Sequence, residues 1–355
     1  MKEFTPENDR LRSLERGLRK MGRGVRLYGR NGSWRALYQI GSLNLRRLAG
    51  RHIPQTVFLA VTYRCQCNCP HCYADARKRQ DGDEVSTEEL KARIGQVKAL
   101  GAFHLIITGG EPLLRKDIFE LVAWAHKIGL ISRLSTNGFL LDRTRVVELR
   151  RAGLNQCGVA IDDADRDTHD RQRGLPGLFD RAVEAFRFLH DAGIESRLMT
   201  YARHSNLSGG MDRILELGKR IGVRTVHINH PYASGRWAEA YDEMFSKEDM
   251  DRLRRIPASV RSPEVLIEFP TSKTMCLSAQ KSVIYIKPSG EVTPCPVVPY
   301  AIGDMRNEAL ADIWKRHARA LRADFHGTCP MSHKEGKEAF RKHAERVFPS
   351  KSGKG

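Results

Sequence analysis

Cys65-Gln66-Cys67-Asn68-Cys69-Pro70-His71-Cys72-Tyr73 follows directly on the apolar run from Thr56 to Thr62. Four of the chain's eight cysteines fall within eight residues. Packing alone gives no reason for that density, so the stretch reads as a metal site. Cys65, Cys69 and Cys72 are spaced C-x3-C-x2-C, with the aromatic Tyr73 next. Thiolates are the usual ligands of iron–sulfur clusters, and a cluster held by three of them keeps one iron open to another ligand. A closed zinc site of four ligands is the other reading of clustered cysteines, and Cys67 also permits C-x-C or C-x4-C pairings.

Outward from that stretch the chain alternates short apolar runs with amphipathic ones. Strands are predicted at 56–62, 103–108, 131–136, 156–162, 194–201 and 224–229, with helical patterns at 86–99, 116–128, 142–152, 177–192 and 210–221. Gly101, Gly129, Gly153, Gly193 and Gly222 each follow a helical stretch just before a strand, as a C-cap glycine does. Six such steps imply a parallel sheet with right-handed crossovers. A curled barrel and an open doubly wound sheet share that pattern.

Three further segments stand at predicted strand ends. In Gly109-Gly110-Glu111-Pro112 two glycines admit a close backbone approach, and the carboxylate can accept hydrogen bonds from an ammonium group. Leu134-Ser135-Thr136-Asn137-Gly138 closes the third strand. The fourth ends at Asp162, and alternation puts Asp162, Ala160 and Gly158 on one face and Cys157, read as a small buried hydrophobe, on the other.

With the C-x3-C-x2-C loop, these segments resemble the radical S-adenosylmethionine (radical SAM) superfamily. The resemblance implies an α/β fold, a partial (β/α)6 TIM-type barrel, with its motifs at the C-terminal strand ends where barrel sites form. It implies a [4Fe–4S] cluster on Cys65, Cys69 and Cys72 that binds SAM and cleaves it to a 5′-deoxyadenosyl radical. Cys67 is left as a bystander. Tyr73, Gly109, Gly110, Glu111, Ser135 and Asn137 become the expected SAM-binding residues, joined by Arg236 of a Gly-Arg element after the sixth strand. His169-Asp170-Arg171-Gln172-Arg173-Gly174 resembles an HD-x-x-RG segment near the active site of relatives with C-terminal extensions. Many of those relatives read Ser-x-Asp-Gly at the preceding strand end, where this chain has Ala160-Ile161-Asp162-Asp163. Asp162, Arg171 and Tyr201 are the expected catalytic side chains.

Beyond the barrel, Cys276-x13-Gly290-x4-Cys295 frames a predicted hairpin, Val283 to Ile286 and Glu291 to Thr293, and Cys329 follows in Cys329-Pro330-Met331-Ser332-His333. This resembles the opening of the SPASM and twitch domains, which bind auxiliary [4Fe–4S] clusters. A single later cysteine implies one such cluster, on Cys276, Cys295 and Cys329. Its fourth ligand is left among His333, another side chain and the substrate. An auxiliary cluster suggests an oxidative outcome: dehydrogenation, decarboxylation or a crosslink, in peptide maturation or cofactor biosynthesis.

The 355 residues allow one large core with a small attached domain. No run approaches the roughly 18 apolar residues of a membrane span. The first ten residues lack the apolar core of a signal peptide, so the cytoplasm, a reducing compartment, is the expected location. The net charge of +18 sits at the ends: residues 1–51 hold 13 Lys/Arg against 4 Asp/Glu, and residues 315–355 hold 11 against 4. Basic ends suit an acidic electron donor of the flavodoxin or ferredoxin type, or an anionic membrane surface met by amphipathic helices at 8–22 and 33–48. The expected division is a basic helical extension (1–52), the barrel (53–240), a twitch-like domain (241–330) and a basic tail lacking order at its end (331–355). The competing reading is a non-catalytic cysteine-metal protein that binds nucleic acid or senses redox state; it leaves Gly109-Gly110-Glu111-Pro112 unexplained.

Overall fold

The structure, a computed structural model, describes residues 41, 52–79, 84–259, 262–267, 276, 278, 281–320 and 329–349. The helices expected at 8–22 and 33–48 lie outside the described residues, residue 41 excepted. Six strands form where the sequence predicts them: β1 (Thr56–Ala60), β2 (His104–Thr108), β3 (Ile131–Thr136), β4 (Gln156–Ala160), β5 (Glu195–Tyr201) and β6 (Thr225–Asn229). Between them run α1 (Thr87–Ala99), α2 (Ile118–Lys127), α3 (Arg143–Arg151), α4 (Arg166–Arg173), α5 (Leu178–Asp191) and α6 (Gly210–Arg220). Ser86, Asp142 and Asp165 start α1, α3 and α4 by accepting from the backbone N–H of Glu89, Arg145 and Thr168, which satisfies donors a helix start leaves unpaired. The five glycines read as helix stops all adopt positive φ.

β1 to β6 pair in parallel and in chain order, and β7 (Glu264–Ile267) continues the sheet beyond β6. On the other side, β8 (Val283–Ile286) pairs in parallel with β1, followed by the antiparallel β9 (Glu291–Thr293) and β10 (Gly303–Asp304). The expected hairpin thus forms, but it prolongs the barrel sheet instead of standing apart. Arg93 of α1 fastens it by donating to Lys287 O and Pro288 O. In-register parallel neighbours share a face. One face buries Val57, Leu59, Leu105, Ile107, Leu134 and Val159 against the helices, each worth about 1.5–3 kcal/mol. Cys157 lies in this apolar core, as its alternation predicts.

The C-terminal part adds α7 (Lys247–Ser259), α8 (Leu310–Ala320) and α9 (Lys334–Val347). The last lies in the stretch read as a basic tail: Lys334–Val347 is helix, and residues 350–355, the end expected to lack order, lie outside the described residues. Phe340, Ala344 and Val347 recur at spacings of four and three and are buried. With His343 on the same face the apolar stripe is thin, which hid it in the sequence.

Candidate active site

The cysteine loop leaves β1 at the C-terminal end of the sheet and is held from three sides. Gly110 N and Glu111 N donate to Thr62 O and Arg64 O, at 2.8 and 2.7 Å. Added Cβ atoms at Gly109 and Gly110 would lie 2.4 Å from Thr62 O and 2.3 Å from Arg64 O. The glycines therefore serve first to bring this strand end against the loop, before any ligand. From the second side, Arg173 O accepts from Asn68 N at 2.7 Å. From the third, Arg236 N donates to Cys72 O at 3.1 Å, and its guanidinium Nη1 reaches Asn68 O, Asn68 Oδ1 and Cys69 O. The expected SAM-binding Arg236 thus clamps the cluster loop with its side chain.

Cys65, Cys69 and Cys72 converge: the charge of Cys69 opposes ionisation of the other two, and that of Cys65 also opposes ionisation of Cys72. Cys67, left as a bystander, lies among them and lowers the pKa of Cys65 and Cys69, while burial pushes Cys72 up. The donor set suits a cluster. Gln66 Oε1, Asn137 Nδ2 and His71 Nδ1 are buried without partners in and beside this loop, a set of polar atoms that fits a bound polar ligand such as SAM.

Glu111 is the carboxylate expected to meet an ammonium group. It is wholly buried, and its carboxylate accepts from Leu113 N (3.1 Å), Thr136 Oγ1 (2.8 Å) and Asn137 N (2.8 Å). It locks the 135–138 turn to the end of β2. Burial pushes its pKa up against the pull of these donors. Ser135 is half-buried opposite Gly158. Tyr73 reaches Thr108 Oγ1 at 3.4 Å and meets Tyr285 edge-on, and burial lifts its phenol to about 12.

Asp162 is 1% exposed at the end of β4. Its Oδ2 accepts from Nε and Nη2 of Arg173, both at 2.8 Å, and lies 3.3 Å from His71 Nε2. Its backbone N–H donates to Nδ1 of the buried His169. Burial alone would raise the Asp162 pKa, but Arg173 and His71 outweigh it and hold the carboxyl far below its usual range. A carboxylate so held is a poor proton carrier, so Asp162 acts here as a fixed charge. Arg171 is corrected outright: it is exposed, donating to Thr168 Oγ1, whereas Arg173 two residues on points inward. Tyr201 stacks on His71 with ring centroids 4.4 Å apart and meets Trp237 edge-on at 5.6 Å. Asn206 ties the ends of β4 and β5 by donating to Asp162 O and Tyr201 O. Sequence reading passed over His71, Arg173, Trp237 and Asn206. The signal for the first two lay inside the quoted motifs.

Cys276, Cys295 and Cys329 also converge: burial pushes the Cys329 thiol up, and the charges of the other two add to that. Val298, Met331 and Phe340 pack around Cys329, with Tyr232 and Cys295 against them. His333 spends its Nδ1 accepting from Gly336 N at the start of α9. Tyr201, stacked on His71 of the first loop, also feels the charge of Asp162 and of Cys329 in the second group.

A sheet of parallel central strands carrying a four-cysteine loop at its C-terminal end, with three more cysteines converging beyond it, fits an iron–sulfur enzyme. Residues 59–217 match the radical SAM superfamily and residues 276–337 match SPASM, an iron–sulfur cluster-binding domain. The chain belongs to the radical SAM superfamily, is an enzyme, and has a [4Fe–4S] cluster, SAM and auxiliary iron–sulfur chemistry as its cofactor set. It is 30% identical over 302 residues to the AdoMet-dependent heme synthase of Nitratidesulfovibrio vulgaris, covering 76% of this chain and 82% of that one. Against the PqqA peptide cyclase of Rhizobium meliloti it is 28% identical, covering 76% of each. Among solved structures, Streptococcus suis SuiB bound to precursor peptide SuiA superposes with a TM-score of 0.62 at 14% identity, covering 79% of this chain and 69% of that one. Native anSMEcpe with bound AdoMet superposes at 0.58 and 14% identity, covering 82% and 84%. The non-catalytic metal-protein reading is not favoured. No helix among the described residues is long and apolar enough to cross a membrane.

Proposed function

We propose that this chain carries out an oxidative modification of a C–H bond, with Cys65, Cys69 and Cys72 holding the SAM-binding cluster and Cys276, Cys295 and Cys329 an auxiliary one. The observation that carries the reading is Tyr201, stacked on His71 of the first loop and within electrostatic reach of Cys329 of the second. When bound at Cys65, Cys69 and Cys72, a cluster with SAM would supply radical chemistry able to break a substrate C–H bond, and a cluster held by Cys276, Cys295 and Cys329 would supply an electron acceptor. The protein's own part is to orient and enclose. Arg236, Gly235 and Arg173 hold the loop, Glu111 holds the 135–138 turn, and Gln66, Asn137 and His71 offer polar atoms to SAM.

Residues 53–240 serve as the catalytic part and the chain from 241 onward as the auxiliary-cluster part. Relatives named heme synthases from several organisms make a tetrapyrrole the first substrate class to test, with the PqqA peptide cyclases placing a peptide second. A flavodoxin or ferredoxin in the cytoplasm is the proposed electron donor, and anionic membrane contact falls to the N-terminal segment.

The test is anaerobic reconstitution with iron and sulfide counts and a 5′-deoxyadenosine assay. About eight irons are expected, with about four lost in each of Cys65/Cys69/Cys72→Ala and Cys276/Cys295/Cys329→Ala. Only the first variant should abolish SAM cleavage. Stoichiometric zinc, or no cleavage by the loaded protein, would overturn the reading.

A further inference from the structure

Arg173 is a buried cation at the cluster loop, and the reading above assigns it no step. Its side chain is 11% exposed and its guanidinium is aimed at Asp162 Oδ2. That oxygen also faces His71 Nε2, and His71 stands between Cys69 and Cys72 in the chain. The backbone of Arg173 is bonded to the same loop through Asn68 N. A Cβ on the next residue, Gly174, would lie 3.1 Å from Asn68 Cβ, so the end of α4 rests directly on the loop. The end of α4 and the cysteine loop are thus fastened to each other by direct contacts.

We infer that Arg173 and Asp162 form an opposed charge pair that sets the reduction potential of the cluster held by Cys65, Cys69 and Cys72, with Arg173 the dominant member. The inference rests on those cysteines being the ligands. Reduction adds a negative charge to the cluster. In a dry site a nearby cation favours the reduced state and a nearby anion opposes it. Arg173 is joined to the loop directly, by its backbone through Asn68 N and by Gly174 against Asn68, whereas Asp162 meets the loop only at His71 Nε2. The cation is therefore taken as the stronger member of the pair. Neither group touches the reacting atoms; both are positioning residues that act on the cluster through their charge.

The experiment is redox potentiometry of the anaerobically reconstituted chain, followed by the spin signal of the reduced cluster. It is done on the background of Cys276/Cys295/Cys329→Ala so that one cluster is observed. Arg173→Met should make the potential more negative by at least a tenfold change in the reduced-to-oxidised ratio, about 59 mV for one electron. Asp162→Asn should move it the other way, because the cation is then unopposed. Arg173→Lys should return the potential most of the way to the parent value. The double variant Asp162→Asn/Arg173→Met strands no buried charge and should lie on the negative side of the parent. If Arg173→Met fails to load iron, Asp162→Asn and the double variant still decide between opposite signs.

Shifts of the same sign in Asp162→Asn and the double variant would indicate loosened packing and overturn the inference, as would potentials that do not move in loaded protein. Absence of iron from the parent itself would instead sink the assignment of the three cysteines.

Discussion

Gly235→Ala tests the clamp that closes over the cysteine loop. An added Cβ would lie 2.1 Å from Cys72 O and 2.5 Å from Tyr73 O, both backbone atoms and both well under the 3.0 Å that real Cβ contacts respect. Opening that gap by backbone movement costs about 1–3 kcal/mol. The residue also sits at φ +57, where a side chain adds about 1–2 kcal/mol. Moving the turn weakens the Arg236 N–H to Cys72 O bond, a further ~1 kcal/mol. The total is roughly 3–6 kcal/mol on the loop, and even the lower figure raises the open-loop population about a hundredfold. Gly222→Ala is the matched control: its φ is +74, and nothing lies within 4 Å of the added atom, so it meets the strain without the collision. The assay is iron release to a chelator from the anaerobic protein, read separately for the two clusters with the Cys→Ala triple variants. Gly235→Ala should speed loss from the Cys65 loop by well over tenfold and spare the auxiliary cluster, with Gly222→Ala near wild type. Equal release rates in the two glycine variants would refute the close approach as the cause.

Stability should depend on pH in two opposite ways. Burial raises the Glu111 pKa, so its contribution is complete below its ordinary 4.5 and declines as pH climbs through the raised value. Thermal melts across that range should show the decline and Glu111→Gln should flatten it; an unchanged slope in the variant would count against this origin. His317 and His343 meet at 3.1 Å between α8 and α9, and burial lowers them to about 3 and about 4. Their contribution is present above the ordinary 6.5 and is lost as pH falls toward those values. His317→Leu should remove part of that acid loss, and exchange of α9 amides that does not quicken on acidification would contradict it. Arg171→Ala should change melting by no more than about 0.5 kcal/mol and leave iron content intact. A loss of iron there would return Arg171 to the site.

Local physics made most of the barrel legible. Strand runs such as His104 to Thr108, the helix starts at Ser86 and Asp142, and the stop glycines depend on residues a few positions apart, so the sequence displays them. The cysteine spacing was equally local, because a loop of eight residues must bring its own thiols together. Helix α9 was missed because a stripe made of Phe340, His343, Ala344 and Val347 looks polar until something covers it. Edge strand β7 escaped because only its pairing with β6 makes it a strand.

What the sequence alone determined is therefore the order of βα units and the spacing of the cysteines in each group. Only the tertiary structure decided which way the charged side chains turn. Arg171 and Arg173 are both arginines near the end of α4, and a two-residue step rotates a helical side chain by more than half a turn. Packing on the cluster loop, not residue type, buries the second of them against Asp162. Glu111 likewise turns inward because Leu113, Thr136 and Asn137 leave buried donors that a carboxylate satisfies better than a distant ligand does. Such choices are made by partners many residues away, and a sequence read in order does not bring those partners into view.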